Sequence, residues 1–185
     1  MIADGARAPG STTMVAMGTA TLVPVSEYLA TDYSPDCEYV DGELEERNVG
    51  EKDHGNVQKR LLLYLGSREK ELGIYVIQEQ RLQLSPRRFR VPDICVVVGP
   101  EPQEQIFTRP PFLCVEILSP EDRMSRMQEK IDDYLGFGVR YVWLVNPHSR
   151  RAYVYTSEGM TEAKDGVLRT RDPEMAVPLA EVFPA

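Results

Sequence analysis

Two carboxylates stand in this sequence where carboxylates are costly. Asp93 lies in Arg90-Val91-Pro92-Asp93-Ile94-Cys95-Val96-Val97-Val98, and Glu116 in Pro111-Phe112-Leu113-Cys114-Val115-Glu116-Ile117-Leu118-Ser119-Pro120. Each segment is a short apolar, β-branched-rich run bounded by Pro or Gly, the pattern of a strand buried on both faces. An uncompensated carboxylate there loses on the order of several kcal/mol of solvation, so a metal, a cation or donors must meet it. If the two strands lie side by side, both acids can converge on one divalent cation, a hard ion that takes oxygen ligands and keeps waters for chemistry. Plainer readings stand beside this one. An Asp after Pro at a strand start also serves as a turn or cap residue, and Glu116 also fits a structural ion pair.

A third residue belongs to the same argument. Ser119-Pro120-Glu121-Asp122 carries the marks of a helix start: Ser as N-cap, Pro at the first helical position, acids in the first turn. Met124, Met127, Ile131 and Tyr134 or Leu135 then give a buried stripe, and Gly136 and Gly138 end the helix. Because that helix follows directly on the Glu116 strand, Lys130 can fold back toward the carboxylates with its stem on Met127 and Tyr134. An ammonium beside two metal-bound carboxylates suits phosphodiester hydrolysis, where it orients the attacking water or stabilises charge growing on phosphorus. A solvated helix lysine is the alternative.

The elements that must hold these residues can be read in order. Residues 1–20 are rich in Gly, Ala, Ser and Thr without periodic pattern and are expected to be a flexible tail, with one domain over residues 21–185. Val25 to Ala30 suggests a short helix, and Cys37 to Glu46 a hairpin turning at Asp41-Gly42. Asp53 is the expected N-cap of a helix over 54–72 with a stripe at Val57, Leu61 and Leu65, ended by Gly73. One strand is expected over 74–84, then the Asp93 strand and the Glu116 strand as a meander, and later strands over 139–147, 151–156 and near 167–170. The order predicts an α/β fold with a mixed β-sheet flanked by helices and an N-terminal β-hairpin.

Composition bounds the function classes. A net charge of −8 argues against indiscriminate nucleic-acid binding, so a polyanion must be met by a local basic patch. No run approaches the roughly 18 apolar residues of a membrane span. The three cysteines, Cys37, Cys95 and Cys114, lack metal-ligand spacing and suggest a reducing cytoplasm.

Val91-Pro92-Asp93, Glu116-Ile117-Leu118-Ser119-Pro120, Lys130 with Tyr134 four on, and Gly138-Val139 beyond resemble the Uma-type putative restriction endonuclease family of the PD-(D/E)XK nuclease superfamily. Glu38-Tyr39-Val40-Asp41-Gly42-Glu43-Leu44, His54-Gly55 and Val139 to Pro147 also fall where that family has similar segments. The resemblance implies a restriction-endonuclease-like core, a divalent metal (Mg²⁺, with Mn²⁺ as substitute), and endonucleolytic cleavage of DNA, with Asp93 and Glu116 as metal ligands and Lys130 as the catalytic lysine. The chain departs from the superfamily pattern at Leu118, where a lysine usually stands, so Lys130 is the displaced lysine. It also has Tyr141-Val142-Trp143 and Asn146-Pro147 where the family often shows Glu-Tyr-Trp and Asp-Pro.

Glu38, Glu79 and His54 are accessory candidates: two acids near the open site, and a histidine at a helix start that also fits a capping or surface role. For DNA, the candidate cations are Arg87, Arg88 and Arg90 before Asp93, Arg109, and Arg123 and Arg126 on the helix; scattered surface charge is the alternative. Cutting both strands implies two active sites and hence a homodimer. A non-catalytic binding or assembly protein that keeps the nuclease fold is the main alternative, and a carboxylate-metal hydrolase acting on nucleotides is a third.

Overall fold

The computed structural model describes residues 22–48 and 50–183; the expected tail over 1–20 lies outside them. Five strands supply most of the central sheet: β3 (Ile74–Gln78), β6 (Ile94–Val98), β7 (Leu113–Ile117), β8 (Tyr141–Asn146) and β9 (Arg151–Thr156). With β10 (Gly159–Glu162) at one edge the order is β10-β9-β8-β7-β6-β3, and only the central β7–β8 pair is parallel. The sheet is therefore mixed, as expected.

Alternation along these strands sorts the core into two layers. Ile94, Val96, Leu113, Val115, Trp143 and Val145 face helix α2 (Lys52–Gly66), whose Val57, Leu61 and Leu65 complete one apolar cluster. Cys95, Cys114, Val142 and Leu144 face helix α4 (Met124–Phe137), whose Met127, Ile131 and Tyr134 complete the other. Glu116 alternates with Val115 and Ile117, so it points to the α4 side.

A smaller sheet stands over the α4 side of the site. The predicted hairpin forms as β1 (Cys37–Val40) and β2 (Glu43–Glu46), with Asp41 and Gly42 both at positive φ as its tight turn requires. With β4 (Leu82–Ser85) and β5 (Arg88–Arg90) it makes the order β2-β1-β5-β4. Tyr28 of helix α1 (Val25–Ala30) seals its back, stacking on Tyr39 with ring centroids 5.1 Å apart and donating to the Cys37 carbonyl.

Several boundaries differ from expectation. The strand expected over 74–84 is two strands in different sheets, because Glu79 turns the backbone to φ 51° and the buried Gln80 amide donates to the Gln105 carbonyl. The helix expected over 54–72 begins at Lys52, with Asp53 in its first turn, and stops at Gly66-Ser67; a separate turn, α3 (Glu69–Leu72), precedes Gly73. The helix expected from Ser119 starts only at Met124, because Asp122 folds back to accept from the Ser119 N–H at 2.7 Å and closes a turn instead. That leaves Met124 exposed rather than in the buried stripe. Strand β10, the hairpin of β11 (Val167–Thr170) with β12 (Met175–Pro178), and helix α5 (Leu179–Val182) complete the described residues, and only β11 among them was predicted.

Arg90 ties the small sheet to α4. Its guanidinium is buried and donates to Glu38 at 2.9 Å, to Glu45 at 2.7 Å and to Asp133 of α4 at 2.8 Å. Removing it strands the buried Glu38 and the part-buried Glu45 and Asp133. Arg90→Ala should lower unfolding free energy by about 3–5 kcal/mol in chemical denaturation, whereas truncation of the more exposed Arg88 should cost about 1 kcal/mol or less. The end of α4 gives a second check. Gly138 has φ 110° and closes the helix, while Gly136 is helical with open space around its Cβ position. Gly138→Ala should therefore destabilise by about 1–2 kcal/mol and Gly136→Ala should stabilise by about 0.5–1 kcal/mol.

Candidate active site

The antiparallel pairing of β6 and β7 sets Ile94 opposite Val115, so the next step of that register sets Asp93 opposite Glu116. Both acids meet at one end of the sheet, beside the parallel β7–β8 pair. Asp93 is fixed by a hydrogen bond from the Ile117 N–H to Oδ2 at 2.7 Å, by His54 Nε2 3.3 Å from Oδ2, and by Arg47 3.4 Å from Oδ1. Its own carbonyl accepts from Gln58 of α2. Glu116 accepts from the Tyr134 hydroxyl at Oε1 (2.6 Å) and from Lys130 Nζ at Oε2 (2.9 Å). Lys130 Nζ also lies 3.1 Å from Glu38 Oε1, and Glu38 is in turn held by Arg90 and by the Val91 N–H.

The charges are strongly coupled to burial. Burial alone would raise the Asp93 pKa, but His54, Lys130 and the Ile117 N–H outweigh it and hold the carboxyl below its usual range. Burial, reinforced by Asp93 and Glu38, pushes Glu116 up to about 7 against the pull of Lys130. Burial opposes the charges on Lys130 and His54, yet the surrounding acids prevail and raise both. Glu38, buried, is held low by Lys130 and Arg90.

These residues line a cleft of about 380 Å³ whose wall also carries Arg47, Arg123 and Arg126. Among the described residues no three His, Cys, Asp or Glu side chains converge as an all-protein metal cage would require. A small hard cation needs less: one or two carboxylates, waters and substrate oxygens suffice. Asp93 and Glu116 are both oxygen donors on a polar cleft. The residues present fit such an ion in type and number.

Asp93, Glu116, Lys130, Glu38 and His54 are thus brought together. Glu79 is not; it is exposed at the break after β3, with its backbone N–H on the Asp93 carbonyl. Of the arginines expected to meet DNA, Arg123 and Arg126 line the cleft. Arg90 is buried in its ion pairs, which takes it out of reach of a polyanion. Arg88 pairs with Asp41 and Asp133, Arg87 donates to the Asp41 carbonyl, and neither these nor Arg109 borders the cleft. Sequence reasoning missed Arg47, which nothing in its neighbourhood singles out, and the hydrogen bond of Tyr134, which its place four residues after Lys130 on one helix face could have signalled.

No curated protein matches the chain. Among solved structures it is similar to a protein titled a putative nuclease belonging to DUF820, from Anabaena variabilis, at 21% identity and a TM-score of 0.76, over 87% of this chain and 97% of that one. At that identity the likeness shows the fold, a mixed sheet flanked by helices. The sequence model of the Uma2 family, described as "Putative restriction endonuclease", matches residues 25–183, and the protein belongs to that family.

Proposed function

We propose that this chain is a divalent-metal-dependent endonuclease that hydrolyses phosphodiester bonds of DNA at the Asp93–Glu116–Lys130 cluster. The observation that carries the reading is the pairing of Asp93 and Glu116 across β6 and β7 with an ammonium 2.9 Å from Glu116, in a cleft bordered by two arginines without ion-pair partners among the described residues. Asp93 and Glu116 would hold Mg²⁺, or Mn²⁺ in its place. Bound there, such an ion supplies Lewis-acid polarisation of the phosphate and an acidified water.

The chain's own residues do the rest. Tyr134 and the Ile117 N–H fix the rotamers of the two acids, which keeps both pointed at one place. Lys130 carries three N–H donors, of which Glu116 and Glu38 take two, so the third is left for the attacking water or a phosphate oxygen. Arg123 and Arg126 suit the flanking phosphates. With a net charge of −8 the affinity must come from this local patch and fall steeply with salt. Cleavage of both strands calls for two such sites, supplied by a homodimer.

A second reading has an observation in its favour: every oxygen of Asp93, Glu116 and Glu38 already has a protein partner, as in a structural ion network. On that reading the chain binds DNA or another partner without cutting.

Supercoiled plasmid incubated with Mg²⁺ or Mn²⁺ separates the two. Nicking is expected, abolished by EDTA and reduced about a hundredfold or more in Glu116→Ala; a folded wild-type chain that leaves the plasmid intact would favour the binding module. Lys130→Met should lower kcat about 10²–10³-fold with little change in KM. Arg126→Ala should instead raise KM and flatten the salt dependence by about one phosphate contact.

A further inference from the structure

Beyond His54 the molecule has a second cavity of about 450 Å³ that the chemistry above does not use. It adjoins the cleft, since His54 and Asp122 border both. The two cavities differ in their cations. The cleft carries Arg47, Arg123, Arg126 and Lys130 among seven acids, whereas the second cavity is bordered by three acids, Glu51, Asp53 and Asp122, and by no Lys or Arg. Only the first therefore offers a phosphate a cationic partner.

Leu118, Pro120, Pro147 and Met124 give the second cavity its apolar lining. Met124 is one of the few large apolar side chains left exposed, at 54%. The polar groups of the lining are unequal. Asp122 is committed to Asn48 and to the Ser119 N–H, and the Asn146 side chain accepts from the Ser149 N–H. Glu51, Asp53 and His148 have no side-chain partner among the described residues, and all three are exposed. An occupant therefore needs an aromatic or apolar face for the Met124 side and hydrogen-bond donors for the free carboxylates.

We infer that this cavity is a subsite for one unpaired nucleobase of the strand whose phosphate lies at Asp93 and Glu116, selecting bases that present an exocyclic amino group. The inference rests on the nuclease reading for the strand, and its recognition chemistry is its own. Guanine offers N1–H and its amino group side by side to a carboxylate, and cytosine and adenine each offer an amino group. Thymine has a single N–H flanked by carbonyls, which the acids repel. The edges involved are those used in base pairing, so the base enters only from single-stranded, frayed or locally opened DNA.

The test needs no catalysis. The full chain, labelled with ¹³C at the methionine methyls, is titrated with guanosine, cytidine, thymidine and inorganic phosphate, and Met124 is assigned through Met124→Leu. The Met124 methyl signal should shift saturably with guanosine and cytidine, about tenfold more weakly with thymidine, and not with phosphate. The Met160 methyl on β10, equally exposed, should stay still. The double variant Glu51→Gln/Asp53→Asn should leave the other methyl signals in place and lose the preference over thymidine. A Met124 signal that no nucleoside moves, that moves in step with Met160, or that responds equally to thymidine overturns the subsite. None of these outcomes depends on DNA being cut, so an intact plasmid counts against the nuclease reading and an unmoved Met124 counts against the subsite.

Discussion

An ammonium buried between two carboxylates holds this structure's functional end together. Lys130 lies within 3.1 Å of Glu38 and 2.9 Å of Glu116, and each of the three comes from a different part of the fold: the small sheet, the central sheet and α4. Buried acids of this kind are tolerated only when cations and donors meet them, and loss of one partner leaves the others uncompensated. The charges on the neighbouring elements are arranged around that constraint. Arg90 pins Glu38 from the side of the small sheet, and Asp133, one helical turn from Lys130, receives the same guanidinium on α4.

The apolar layers serve the same end. Alternation on β7 sends Leu113, Val115 and Ile117 to the α2 core and leaves Cys114 and Glu116 on the α4 side, so one parity of a single strand supplies stability and the other supplies the site. The antiparallel register with β6 then fixes which residue faces Glu116. A one-residue slip would turn Asp93 away from it, and the Ile117 N–H bonded to Asp93 secures that register where the strands end.

Much of this was legible in the sequence, for physical reasons. Asp93 and Glu116 stood out because a lone acid in a β-branched apolar run has few cheap explanations, and the hairpin at Asp41-Gly42 because its turn demands positive φ. The alternation of Val57, Leu61 and Leu65 identified the face of α2. What escaped notice depends on tertiary contacts. Arg90 looks like any surface arginine beside Arg87 and Arg88, and only the arrival of Glu38, Glu45 and Asp133 from distant segments makes it a buried tie. Ser119-Pro120-Glu121-Asp122 satisfies the rules for a helix start and those for a turn alike, and the Asp122 hydrogen bond decides between them. Glu79 breaks a strand at positive φ without a glycine to announce it, and β10, Gly159-Met160-Thr161-Glu162, has neither apolar alternation nor length enough to be seen.

Two acids on neighbouring strands can serve as a cation site or as a closed ion network, and the difference is an equilibrium property. Calorimetric titration of the folded chain with Mn²⁺, beside Asp93→Asn and Glu116→Gln, measures it directly. The account predicts saturable binding of at least one cation per chain that either substitution abolishes. Wild-type protein that is folded and takes up no Mn²⁺, or variants that bind it as well as the wild type, would contradict the claim that Asp93 and Glu116 form the metal site.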